Sequence, residues 1–515
     1  MQNSYSKNYL KIYFYQILSI VLGFASLFVV VPFLSSDKIT YGIYTVCVSI
    51  SIFLSYADLG FLGAGMKYAA ESFSRGETEE ELRIVGFTHF VLFVFLVFLS
   101  SIFLYLSFNP ELLIKGIKSG VQTNIASDLL LILALFSPTI ILQRTLQMIF
   151  GIRLQDFLLQ KINIVGNLLK IASVFYFFGF QNYDIVGYFL FVQLINLACV
   201  IVGVLKASRA FDYDFIKLIG YFRFSKSMFI KTKHLAFSGL VVTFSWILYY
   251  ELDSFAIGKL LGAKEVAIYA IGLTILSFFR SLLGVFFSPF SSRFNHFIGV
   301  EKKEELKLFY LHIITLSFPI VVFPIIAIVV FSKSLVISWV GFEYEQSIEV
   351  VQWLIACNIL AFISYPAGML MVANEKLKEM YIISFLMPII YWFGIYFTLD
   401  LFGIKSFAMF KFLAFFISGL VYIWYSLSFL QISLIQFIKK QIIPYIPAIV
   451  VLTIALYSLD NNFVDGKSKL NLFINALIIG IGVLLSFGIS LLTVRSLRDY
   501  FFKILKLIKP IKNEI

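Results

Sequence analysis

A chain of 515 residues that is 60% hydrophobic and only 14% charged is excluded from the soluble globular class, where about a quarter of residues are charged. Its apolar residues come in runs of about twenty, the length that crosses a ~30 Å hydrocarbon core as helix. The formal charge of +12 would suit nucleic acid, but the cations gather in alternate loops between the apolar runs. That is the charge pattern of a polytopic membrane protein, with no nucleic acid as partner.

Taken in chain order, the apolar runs predict fourteen membrane-spanning helices. They lie at 12–34, 42–64, 84–108, 128–150, 162–180, 185–205, 235–257, 265–290, 308–331, 350–373, 381–401, 406–430, 443–459 and 470–494. The fold class is all-α, with two six-helix lobes and a C-terminal helix pair. The corresponding segments are an N-terminal lobe 1–210, a basic linker 211–233, a second lobe 234–440, the pair 441–494 and a basic tail 495–515. No A-x-A-like site follows the first run, so 12–34 reads as an uncleaved span. Lysine and arginine crowd the loops on the side of both termini, which places both termini in the cytoplasm. The linker and the tail mix apolar and basic residues and suit the surface of an anionic inner leaflet. No outer loop is long enough for a catalytic domain.

The two lobes are read as an internal repeat. Tyr41-Gly42-Ile43-Tyr44 opens an apolar run that continues to Asp58-Leu59-Gly60 and Lys67-Tyr68-Ala69-Ala70-Glu71. Downstream, Leu261-Gly262 leads to Tyr269 and another apolar run. An offset of 225 residues, the separation of Tyr44 and Tyr269, also sets Glu79 and Glu80 on Glu304 and Glu305 in the next polar loop. In a membrane protein, two related halves predict a substrate site between them.

Four cations stand inside apolar spans: Arg144 in the fourth, Lys170 in the fifth, Arg280 in the eighth and Lys411 in the twelfth. Each costs about 2.5–3.5 kcal/mol at a helix centre, so each is expected to face a cavity or a partner. For Arg144 and Lys411, nearer their span ends, snorkelling is the alternative. Together they suit an anionic ligand, phosphate or carboxylate. Asp58, Glu251 and Asp253 are the candidates for ion coupling or gating, against the plainer reading of solvated helix ends for the last two. His89 and His312 read as neutral packing residues, and Cys47, Cys199 and Cys357 as small hydrophobes in a packed bundle. Pro138, Pro289, Pro319, Pro324, Pro366 and Pro388 interrupt spans and are expected to kink them. The sequence has no phosphate-binding loop, nucleophile–base arrangement, metal-ligand spacing or dinucleotide fingerprint, so neither a cofactor nor an enzyme activity is expected.

The tyrosine–glycine, Asp58-Leu59-Gly60 and Lys67–Glu71 segments, with Asp253 through Gly262 to Tyr269, resemble the polysaccharide and O-antigen exporters. These share a superfamily with the multidrug and toxin extrusion transporters and the lipid II flippases. The resemblance implies a flippase for an undecaprenyl-pyrophosphate-linked oligosaccharide in the bacterial inner membrane, with a polysaccharide polymerase and chain-length machinery as further partners. It also implies that Arg280 meets the pyrophosphate and that 443–494 cradles the polyprenyl chain. The first two spans carry no mid-depth arginine or lysine, so the cavity cations come from other helices. The alternatives are a cation-coupled multidrug exporter, a lipid II flippase, or a membrane glycosyltransferase or polymerase. The last is disfavoured by the short outer loops.

Overall fold

In the computed structural model, residues 2–56, 60–117, 120–179, 182–374, 376–460 and 466–508 are described, and among them there is no strand. The chain forms two compact units, 1–270 and 271–515. The first contains α1 (Gln2–Leu34), α2 (Lys38–Ser55), α3 (Phe61–Ser74), α4 (Thr78–Phe108), α5 (Gly120–Phe136) and α6 (Thr139–Ile152). It continues with α7 (Asp156–Phe177), α8 (Ile185–Phe211), α9 (Phe215–Gly220), α10 (Lys226–Trp246) and α11 (Asp253–Leu260). The boundary falls within α12 (Ala263–Phe287). The second unit then runs through α13 (Phe290–Gly299), α14 (Lys303–Val330), α15 (Ser332–Val340), α16 (Ser347–Ala356), α17 (Ala361–Ala373) and α18 (Leu377–Phe402). It ends with α19 (Lys405–Phe429), α20 (Leu434–Phe437), α21 (Ile446–Leu459), α22 (Lys469–Thr493) and α23 (Arg495–Ile508).

Ten spans among the described residues are continuous, and two more are bent pairs: α5 with α6 at 45° and α16 with α17 at 41°. The protein is thus an all-helical, multi-pass membrane protein. The remaining two of the fourteen expected spans are each divided. The run 42–64 is interrupted before Gly60, whose φ of 80° starts α3 and whose missing side chain lets the Ala236 carbonyl approach. The run 235–257 carries a π-helical turn, Ile247–Glu251, between α10 and α11. Hydropathy misses both breaks because the few polar residues in these runs, Asp58, Glu251 and Asp253 among them, leave the average apolar.

The bend at α5–α6 has a local cause. Pro138 has no N–H to give the Ala134 carbonyl, and the Ser137 hydroxyl donates to that carbonyl instead, at 2.8 Å. In α17, Pro366 likewise frees the carbonyl of Phe362, which accepts from Ser317 at 3.4 Å. The first unit's core forms where α3, α4 and α6 meet, around Phe61, Phe87, Leu146 and Phe150. In the second unit α14 is the most enclosed span, packed against α16, α17, α21 and α22.

The repeat is written in backbone hydrogen bonds. At the corner after α3, the N–H groups of Arg75, Gly76, Glu77 and Thr78 donate to Glu71, Phe73, Ser72 and Gly76. At the corner after α13, those of Val300, Glu301, Lys302 and Lys303 donate to His296, Ile298, Phe297 and Glu301, the same pattern at an offset of 225. The residues in the left-handed conformation also correspond, Gly76 at φ 75° and Glu301 at φ 55°.

Segment 211–233 packs within the first unit. The acidic start of α4 holds it: the Tyr221 hydroxyl donates to Glu79 at 2.7 Å and Lys231 pairs with Glu80 at 2.9 Å. The third carboxylate, Glu81, is buried and paired bidentately with Arg153 at 2.8 and 3.2 Å. Phe73, Phe211 and Tyr213 stand against that guanidinium at 4.6, 5.3 and 5.2 Å.

Candidate functional site: an amide-lined chamber with two cations

In α7, Gln160, Asn163, Asn167 and Lys170 recur at three- and four-residue intervals, which lays them along one face of the helix. That face lines a cavity of about 280 Å³ together with Gln143 and Gln147 of α6, Asn196 of α8 and Ser19 of α1. Close packing of α7 on α8 fixes its position. A side chain at Gly166 would strike the Cys199 sulfur at 2.5 Å, and that thiol donates to the Ile162 carbonyl at 3.8 Å. The Lys170 ammonium, half-buried, donates to the Asn196 carbonyl oxygen at 2.6 Å and approaches that of Asn167 at 3.5 Å.

Asn196 connects this cavity to a second one of about 240 Å³. Gln143, Gln147 and Asn196 line both, and the second adds Arg144, Gln193, Ser51 and Thr139. The Asn196 amide donates to Gln193 at 3.3 Å, and Arg144 donates to Gln147 at 3.0 Å. Two polar chains, Lys170–Asn196–Gln193 and Arg144–Gln147, thus face the same pair of cavities. Among the described residues, Lys170 and Arg144 are the only ionic side chains lining the two cavities, and no described carboxylate lines either. Primary amides present both donors and acceptors, which suits hydroxyl-rich ligands; the two cations suit phosphate or carboxylate oxygens.

Of the residues singled out in the sequence, Lys170 and Arg144 are thus gathered around linked cavities. Arg280 and Lys411 stand on separate helices of the second unit. Arg280, partly exposed on α12, interacts electrostatically with Tyr365 of α17. Lys411 is fully buried on α19, its ammonium 5.6 Å from the centre of the Tyr391 ring of α18. Glu251 closes the π-helical turn and accepts from the Trp246 indole at 3.3 Å. Asp253 is buried at the start of α11 and accepts the hydroxyl proton of Tyr269. Asp58 lies outside the described residues. Sequence reasoning missed the amides, although their helical spacing inside an apolar span was a readable signal.

The glycines of the quoted segments have structural work. A side chain at Gly42 would fall 1.8 Å from the Ala263 carbonyl oxygen, so the Tyr41–Tyr44 and Gly262–Tyr269 segments touch through bare backbone. The Gly258 carbonyl accepts from the Lys115 N–H at 2.9 Å beside them.

No family model matches the sequence, and no curated protein matches it. Solved structures do match. The lipid II flippase MurJ in an inward closed conformation superposes with a TM-score of 0.64 at 14% identity, over 94% of this chain and 98% of that one. An inward-facing multidrug resistance MATE family transporter of the MOP superfamily gives 0.60 at 13% identity, over 80% and 95%. A MOP superfamily transporter from Pyrococcus furiosus gives 0.58 at 14% identity, over 83% and 97%. The fold is that of the MOP-superfamily flippases and transporters. These neighbours move molecules across membranes and are not enzymes.

Proposed function

We propose that the chain is a flippase carrying an undecaprenyl-pyrophosphate-linked oligosaccharide from the cytoplasmic to the outer leaflet of a bacterial inner membrane by alternating access. The observation that carries this reading is the amide-lined chamber around Lys170 and Arg144, with no carboxylate among its described lining residues. Sugar hydroxyls match the amides, and phosphate oxygens match the ammonium and guanidinium. A chamber for cationic drugs would call for acidic residues there, which weighs against the multidrug reading. Arg280 and Lys411 are further candidates for phosphate contact, and Glu251 and Asp253, with Asp58, for coupling. The two termini and the basic loops lie on the cytoplasmic side in this reading, and a polysaccharide polymerase and chain-length machinery are further partners.

A lipid II flippase is the second reading. It is favoured by the match to MurJ, which extends over 94% of this chain where the MATE transporter covers 80%. The test is complementation of a strain lacking the chromosomal copy. The Lys170→Ala/Arg144→Ala double variant should accumulate to wild-type level and lose at least about tenfold of its surface glycan, a transition-state deficit of about 1.4 kcal/mol. Undiminished glycan at normal protein level removes the chamber from the transport path. Lysis with intact glycan upon depletion favours lipid II as cargo.

A further inference from the structure

The first unit holds a chemically opposite cavity, which shares α6 and α8 with the chamber. It is a groove of about 560 Å³ walled by Phe93 of α4, Leu142 of α6, and Ile201 and Leu205 of α8, and roofed by Leu218 and Ile219 of α9. Its polar members bond mainly within their own helices: the Thr145 hydroxyl donates to the Ile141 carbonyl at 2.8 Å, and His89 Nδ1 lies 2.7 Å from the Val85 carbonyl, while His89 Nε2 is buried without a hydrogen bond. At roughly 30 Å³ per water-sized group, the space holds on the order of twenty such groups, a length of hydrocarbon chain.

The roof is fastened down. A side chain at Gly86 of α4 would fall 2.6 Å from the Tyr221 carbonyl oxygen, so the segment after α9 lies directly on α4. Phe222 wedges its ring against Phe90 and Phe93 at 5.8 and 5.4 Å. The groove is therefore a built feature of the first unit rather than a crease between loosely packed helices.

Its rim is cationic. Lys206 follows Leu205, Lys217 sits in α9 between groove-lining residues, and Arg223 follows Phe222; all three are exposed, with Arg209 one turn beyond Leu205. The carboxylates beside them are Asp212, Asp214 and Glu79 of α4, which interacts with Lys217; Asp214 caps α9 through the Lys217 N–H at 2.9 Å while its other oxygen stands 3.8 Å from the Lys217 ammonium. Ile216 and Ile219 are 84% and 73% exposed on the same short helix, the pattern of an element that sits at a membrane surface. We propose that this groove seats an acyl chain of an anionic phospholipid whose phosphate is held by Lys206, Lys217 and Arg223. Basic side chains beside a hydrocarbon slot select lipids by headgroup charge. The site is independent of the cargo assigned above.

The test is native mass spectrometry of the purified full-length protein offered equal phosphatidylglycerol and phosphatidylcholine. The wild type should retain phosphatidylglycerol about fivefold or more over phosphatidylcholine. The Lys206→Ala/Lys217→Ala/Arg223→Ala variant should bring the ratio to about one. Ile201→Trp, which fills the slot, should lower retention of both lipids; Leu142→Trp carries the same reading if Ile201→Trp does not elute as a single species. The proposal is overturned if the triple variant keeps the wild-type preference or if the tryptophan leaves retention unchanged. It is also overturned if undecaprenyl phosphate at equal concentration displaces the phosphatidylglycerol, which would make the groove a seat for the cargo's tail.

Discussion

Lys170 and Lys411 solve one problem from opposite sides. In the first unit, Lys170 of α7 reaches across to an amide of α8; in the second, Lys411 of α19 lies over an aromatic ring of α18. An ammonium in an apolar span needs such a partner, and that cost made both legible in the sequence. The amides cost less apiece, so the chamber's lining went unread while its cations stood out. The glycines that carried the family resemblance are fold residues, because backbone contacts at Gly42 and Gly60 admit no side chain. Arg153 is the residue whose loss is expected to be felt most in stability. Arg153→Ala leaves the buried Glu81 carboxylate uncompensated and should cost about 3–5 kcal/mol in thermal or denaturant unfolding of the purified protein. Removing Glu81 as well should cost less than the two single changes added together.

At the scale of elements, positions of helices followed from hydropathy, but their interruptions did not. Proline announced the break at Ser137–Pro138, whereas the π-helical turn at 247–251 and the bend at 357–360 hold neither proline nor glycine and only Glu251 and Asn358 as polar marks. The break before α6 matters because that helix has two working faces. Gln143 and Arg144 look into the polar chamber, and Ile141 and Leu142 into the apolar groove. Tilting α6 about Pro138 would alter both at once. Pro138→Ala allows an N–H to reach the Ala134 carbonyl and straightens the joint. The expected outcome is an unchanged or higher unfolding midpoint with transport slowed at least about tenfold, read by surface-glycan complementation at matched protein level.

For the whole molecule, the sequence carried the all-helical membrane class and the related halves, since both rest on composition and spacing. It did not carry how the final helices attach. Asn475 of α22 donates to the Ser334 carbonyl and to the Ser338 hydroxyl, each at 3.1 Å, and the Ser334 N–H donates to Asp460 at 3.1 Å. Those bonds tie the last pair to α15 of the second unit. The orientation proposed from the basic loops has a direct measurement. A cysteine placed at Lys439, in a background with Cys47, Cys199 and Cys357 replaced, should be labelled by a membrane-impermeant thiol reagent only from the cytoplasmic face. Labelling from outside reverses the topology.

The corner shared by the two halves shows what duplication preserves. At both corners the peptide groups keep the same partners although the side chains differ. The drift was not free: one copy kept glycine where the chain turns left-handed, and the other holds a glutamate there. Copying the sister's choice, Glu301→Gly, should firm the protein by about 0.5–1 kcal/mol, visible as a raised melting temperature. One half thereby serves as a repair manual for the other.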